Sequence, residues 1–337
     1  LELALCVTSL AWAVAAAVVG GRAAQGIALR FGLARFELLL EALFTLFLLV
    51  VGLRLLDWLG TRGRYPDQVV ALPRREGRWR EFAVGAAVGW GFCIAALLPI
   101  VLSGNLHSDL NLGAGQGWST LAAMGLAMAS LLVFCLIEEL IFRGYAFQRL
   151  IAGVGQTWAA LAMSVIFALV LQAGGRFAAV ATLNGWLFGL LLSMAFLRTN
   201  ALWVGWGVHV GYRVVAAVIF GLPVAGHGEF GSLMDTSTSG PRWLTGGATG
   251  LDGAWLTAII AILALSVLYR VTRDYAWKYT QPLILPAGYA VEVAPPAAHV
   301  AMERAAPPKA PALVQILPVT PQTRSVVEAQ EPQVPRG

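Results

Sequence analysis

Five ionisable residues stand in or beside stretches that are otherwise apolar, and their types and spacing are where chemistry could sit. Glu138 and Glu139 close a long apolar run, and Arg143 follows them. His209 lies in the middle of a later run, Trp206-Gly-Val-His209-Val-Gly-Tyr212, with Arg213 one helical turn further on. A carboxylate beside an imidazole can take a proton from water, the first step of general-base hydrolysis. The same set could form a proton or ion path, or a buried ionic lock, because charges at bilayer depth are costly and are paired or put to use. Adjacent helical positions point about 100° apart, so Glu138 and Glu139 cannot face the same way. Arg143 lies four residues past Glu139, within reach of an intrahelical ion pair. His209 and Arg213 share one helix face, and the two carboxylates are their expected partners. Asn184, inside an apolar run, and Gln172, at the end of another, are candidate members of the same network. His107, His227 and His299 fall in expected loops or tail and carry no assignment.

The elements that must position these residues are membrane helices. The 337-residue chain is 58% hydrophobic and 12% charged, against about 45–50% and about 25% in soluble domains. So little polar surface cannot clothe a soluble globule, and an all-α polytopic membrane protein is expected. Eight apolar runs approach spanning length: 3–20, 37–59, 82–103, 119–142, 157–173, 177–197, 201–222 and 253–271. The first has no basic flank or clear cleavage site and reads as a span rather than a signal peptide. The sequence opens at Leu1 without a Met, so the true N-terminus is expected to lie upstream. The Gly85–Gly89 spacing permits close helix contact. Twelve Trp suit interfacial belts. Cys6, Cys93 and Cys135 sit in three separate apolar runs with no C-x-x-C pair, and read as small buried hydrophobes.

The net charge of +5 lies mainly in loops and tail. Arg62, Arg64, Arg74, Arg75, Arg78, Arg80, Arg143, Arg149, Arg198, Arg270, Arg273 and Lys278 fall on one expected side. Arg22, Arg30, Arg35, Arg176 and Arg242 fall on the other, a tally of 12 to 5. The positive-inside rule then places both termini in the cytoplasm, and an inner bacterial membrane is the expected location. The three arginines after the first run argue mildly against that placement. Membrane orientation accounts for the charge better than nucleic acid does, so no nucleic-acid partner is expected. Four regions follow: helices one to three with a basic loop (1–117), a core of helices four to seven (118–222), a loop and helix eight (223–280), and a tail (281–337). The tail holds 11 of the 16 prolines. Proline removes donors and keeps the chain extended, yet Leu283-Ile-Leu-Pro286 and Leu313-Val-Gln-Ile-Leu317 are apolar, as a partner-binding segment would be.

Glu138-Glu139-x-x-x-Arg143-Gly144 resembles the first motif of the CPBP family of intramembrane proteases (CAAX-processing, bacteriocin-processing and Abi proteins). Asn184-Gly185, Gly189 and Leu197-Arg198-Thr199-Asn200-Ala201-Leu202-Trp203, leading to His209, resemble its third region. The resemblance covers about residues 118–215. It implies that Glu138 would activate water, that His209 would assist or bind the oxyanion, and that Glu139 and Arg143 belong to the same catalytic set. Two family positions differ. The second motif, F-x-x-x-H, reads Phe167-Ala-Leu-Val-Leu171, with leucine for histidine. The third, H-x-x-x-N or H-x-x-x-D, reads His209-Val-Gly-Tyr-Arg213. Family members are described as using a divalent metal or a glutamate-activated water. A metal needs several neutral or anionic ligands in one cage, and here one ligand is gone and a permanent cation stands nearby. No metal and no cofactor is therefore expected.

Three functions fit these residues. The first is a catalytically degenerate CPBP-type protein, a pseudoenzyme acting as an accessory subunit of a membrane complex, with residues 281–337 wrapping a partner. The second is an active intramembrane endopeptidase with Glu138 as base and Arg213 stabilising the oxyanion. The third is an ion or proton transporter, for which the sequence shows no inverted repeat.

Overall fold

The computed structural model describes residues 1–63, 69–111, 117–173, 178–223 and 230–280. The expected tail at 281–337, with His227 and His299, lies outside the described residues, as do Arg64 and Arg176.

Each of the eight apolar runs is helical. Helix α1 spans Glu2–Phe31, α2 Glu37–Thr61, α3 Arg78–Leu102 and α4 Gly117–Arg143. A short helix, α5, covers Tyr145–Val154, followed by α6, Gln156–Leu171, and α7, Ala179–Thr199. Helix α8, Trp203–Arg213, continues as a π-helical stretch over Val214–Ile219. After the short α9, Arg242–Thr245, come α10, Trp255–Val271, and α11, Arg273–Thr280. Five segments are long and apolar enough to cross a membrane, and a sixth is if α10 and α11, bent by 54°, count as one. The expected eight full spans are thus corrected. Helix α6 has 16 residues and rises only about 24 Å, and 203–219 is similarly short. Residues Trp203–Arg213 are buried throughout, whereas α6 keeps Trp158, Val165 and Leu169 exposed.

Helix α1 runs eleven residues past its expected end, so Arg22 and Arg30 ride exposed on the helix itself. The expected all-helical loops also contain one sheet. Strand β1, Leu106–Leu110, pairs antiparallel with β2, Met234–Thr238, with His107 opposite Ser237.

Outer helix faces carry exposed Val7, Val14, Phe47, Leu55, Ile259 and Leu263, surface suited to lipid rather than water. Exposed Trp58, Trp79, Trp118, Trp158 and Trp255 cluster at helix ends, as an interfacial belt requires. The chain is an integral membrane protein. The three cysteines are buried thiols.

The closest approach joins α3 to α8. A Cβ added at Gly85 or Gly89 would fall on the carbonyl oxygens of Val204 and Val208, and one at Gly207 or Gly211 on those of Phe82 and Ala86. Glycines on both helices interlock, so the backbones touch and α8 cannot roll. Without a hydrophobic drive between helices in lipid, such contact is a main source of association. The α7–α8 junction is fixed as firmly. Asn200 ends α7 in the left-handed conformation, φ 49°, and donates its N–H to the Phe196 carbonyl 2.7 Å away. Asparagine tolerates that conformation better than most residues. The preceding loop braces the junction. Arg75 donates to the Thr199 carbonyl at 3.0 Å, Trp203 Nε1 to the Pro73 carbonyl at 3.1 Å, and the Leu202 amide to that of Ala71 at 3.0 Å.

Gly211→Val should therefore destabilise the fold by at least about 1–3 kcal/mol, the range for overpacking. Thermal unfolding in detergent should show a clear drop in Tm, while Gly91→Ala, whose Cβ would meet nothing within 4 Å, should leave Tm unchanged.

Candidate functional site

Helix α4 supplies Glu138, Glu139 and Arg143, and α8 supplies His209 and Arg213. Helices α6 and α7 wall the site with Phe167 and Phe188, whose rings stand edge-on to the imidazole at centroid distances of 6.1 and 5.3 Å. Glu139 points into the bundle and is fully buried, whereas the Glu138 side chain keeps 15% exposure. The two carboxylates diverge as helical geometry demands, yet both reach His209. Nδ1 lies 3.0 Å from Glu139 Oε1 and Nε2 lies 3.5 Å from Glu138 Oε2. With the proton on Nδ1, the imidazole donates to Glu139. Gly205 leaves room for this carboxylate, since a Cβ there would stand 2.9 Å from Glu139 Oε2.

Arg213 closes on Glu138 through two parallel bonds, Nη1 to Oε1 at 2.6 Å and Nη2 to Oε2 at 3.0 Å. Such a fork-to-fork pair is among the strongest and most directional ionic contacts. Arg143 makes the expected i,i+4 ion pair with Glu139, without a hydrogen bond. Its Nη1 is 3.9 Å from Glu139 Oε1, too long for a hydrogen bond. Instead Nη2 donates to the Gly189 carbonyl at 3.0 Å and the guanidinium lies 4.3 Å from the centre of the Phe167 ring. Arg143 thus ties α4 to α7 and lends Glu139 its charge at longer range. Two guanidiniums balance two carboxylates around one imidazole.

Asn184 does not join this network, contrary to expectation. Its Nδ2 donates to the Asp252 and Ala254 carbonyls at 2.7 and 2.8 Å, fastening α7 to the turn that opens α10. Asp252 in turn accepts from the Tyr212 hydroxyl at 2.7 Å. Gln172 lies just past the end of α6. It shares with Asn184, Tyr212, Arg213 and Asp252 the lining of a cavity of about 30 Å³, room for a water or two. These polar residues thus form a second group touching the first through Arg213. Asp252 and Tyr212 were not anticipated. Asp252 sits in a glycine-rich loop, and only the tertiary contact reveals it. His107 is exposed in β1, beside Ser239.

Leu171, at the position of the family's second-motif histidine, is half-buried and lines both this cavity and a lateral pocket on which Glu138 opens. The donor set does not fit a divalent cation. Among the described residues no group of three or more His, Cys, Asp or Glu side chains could hold a metal ion, and Glu138 carries a guanidinium on both oxygens.

The site is a buried carboxylate–imidazole pair inside an all-α membrane bundle. Within it, residues 120–215 match the family described as type II CAAX prenyl endopeptidase Rce1-like. The match covers under a third of the chain's length. Comparison with curated proteins and with solved structures gives no match.

Breaking the fork by Arg213→Gln leaves Glu138 without its counter-charge. A fully buried pair broken this way costs about 3–5 kcal/mol, and the partial exposure of Glu138 lowers the expectation to about 1–3 kcal/mol. In a cycle with Glu138→Gln, the double variant should lose less stability than the two single losses combined, with a coupling of about 1–3 kcal/mol. Additive losses would show that the two side chains do not act as a pair.

Proposed function

We propose that this protein is a catalytically degenerate CPBP-type membrane protein, a structural or accessory subunit rather than a working protease. The observation that carries the reading is the bidentate grip of Arg213 on Glu138. A general base must offer an oxygen to water within about 2.6–3.2 Å and accept its proton. Here both carboxylate oxygens already accept from a cation that cannot be deprotonated. Leucine at 171 supplies no second proton carrier or oxyanion donor. What remains is an ionic clasp joining α4 to α8, with His209 as its bridge. The subunit role draws its support from composition: residues 281–337 are proline-rich with two apolar patches, suited to lie along another protein. The excess of Arg and Lys between Arg62 and Arg80 supports cytoplasmic termini, and the family's bacteriocin-processing branch an inner bacterial membrane.

A second reading, an active endopeptidase, is favoured by one feature. Glu138 retains partial exposure onto a pocket, and His209 stays 3.5 Å from it. In that case Arg213 would stabilise developing negative charge.

Purified full-length protein, incubated in detergent with the membrane proteins of its own source, is expected to cleave nothing. Cleavage that Glu138→Ala abolishes would instead establish the protease. Gentle extraction of the native membrane should recover the chain in a larger particle, and removal of residues 281–337 should release it. A small free particle in both cases would rule out the subunit role.

A further inference from the structure

A lateral pocket of about 620 Å³ opens between α1 and α2 on one side and α4 and α6 on the other. Its walls are almost wholly apolar, with Val14, Ala17, Phe134 and Ile166 among them, and three polar residues interrupt them: Glu41, Thr45 and Glu138. The size and lining are those of a small-molecule site, apolar with a few placed polar groups. It is too small for a helix of about 10 Å diameter to enter, but a hydrocarbon chain could.

The two carboxylates differ in what they have left to bind. Glu138 is gripped by Arg213. Glu41 has no hydrogen bond or ion pair among the described residues, and its side chain is only partly buried. An acid on a membrane helix ordinarily has a partner named by the fold, and this one faces an apolar groove without one. Its depth is informative. Glu41 is the fifth residue of α2, about 6 Å along the axis from the helix start, so it lies close to one end of an apolar span. The groove runs from there past α1 and α6 toward Leu171 and Glu138, deeper in the bundle. Polar group at the interface and chain toward the core is the layout of a membrane lipid.

We propose that this pocket holds one chain of an amine-headed phospholipid, with its ammonium on the Glu41 carboxylate and the chain reaching toward Leu171. An ammonium supplies both the opposite charge and N–H donors that Glu41 lacks, whereas a purely anionic head group would be repelled. The assignment is independent of whether Glu138 ever acts as a base, so it can fail while the degenerate-protease reading stands, and the reverse.

The test is native mass spectrometry of the full chain in detergent, titrated separately with phosphatidylethanolamine and phosphatidylglycerol of identical chains. Phosphatidylethanolamine adducts should form at concentrations at least fivefold lower. Glu41→Gln should bring the two lipids to parity, because the amide removes the charge and keeps the shape. Ala17→Phe, at an exposed position of the wall, should suppress adducts of both without disturbing the core; its Tm, measured alongside, should match that of the parent. Equal retention of the two lipids by the parent, preference that survives Glu41→Gln, or adducts undiminished by Ala17→Phe would each overturn the proposal. So would a groove that takes no lipid because a second copy of the chain or another protein's helix covers it.

Discussion

Charge neutrality at depth is the constraint on which the rest of this structure depends. Two carboxylates and two guanidiniums sit in the bundle between α4, α7 and α8, and no one of them could stay there alone. Glu139 and Arg143 are fully buried, Arg213 nearly so, and the imidazole of His209 links the two acidic side chains. Each charge is tolerated because the others hold a fixed position. Ionic contacts of this kind add little net stability compared with an apolar core, but removing one member is expensive. The network therefore fixes which residues α4 and α8 present to each other.

That fixing needs rigid helices, and the sequence supplies them away from the charges. Reciprocal glycines let α3 and α8 meet backbone to backbone, and Asn200 with the Ala71–Arg75 segment sets where α8 begins. Trp206 adds a bond from its Nε1 to the Leu132 carbonyl, 2.9 Å, directly between the two helices that carry the site. At the helix ends Glu81, fully buried, accepts from Arg75 at 3.0 Å and from Tyr279 at 3.2 Å, bringing α11 onto the same scaffold. A hydrolase would use such stiffness to hold a base and an oxyanion donor. Here the same stiffness holds Arg213 against Glu138.

Much of this was legible in the residues themselves. Apolar runs of spanning length gave the helices within about two residues at most ends, because hydrocarbon leaves the backbone few alternatives. Costly residues at helical spacing identified the ionic network and made the two carboxylates the expected partners of His209 and Arg213, but which carboxylate Arg213 takes, 75 residues away, is set by the packing of the helices. The failures have physical causes. The end of α1 is marked by Gly32, left-handed at φ 67°, but the charged Arg22 and Arg30, good helix formers, lie outside the apolar run and hid that the helix continues to it. Asn184 reads as a network member from polarity alone, but its amide serves the carbonyls of a loop 68 residues away, a contact no periodicity encodes. Arg143 is the intrahelical partner of Glu139 that its spacing implies, but its further bond to the Gly189 carbonyl depends on the approach of α7.

The central claim, that the Arg213 fork occupies Glu138 and keeps it unavailable, can be read by a hydrophobic carbodiimide. Such reagents enter from the bilayer and modify carboxyl groups that are protonated and accessible, and the lateral pocket gives access to Glu138. Peptide mass mapping after treatment in membranes should find Glu138 unmodified in the parent protein and modified in Arg213→Gln. Equal, ready modification of Glu138 in both would contradict the account, because it would mean the carboxyl group is free to react while Arg213 stands beside it.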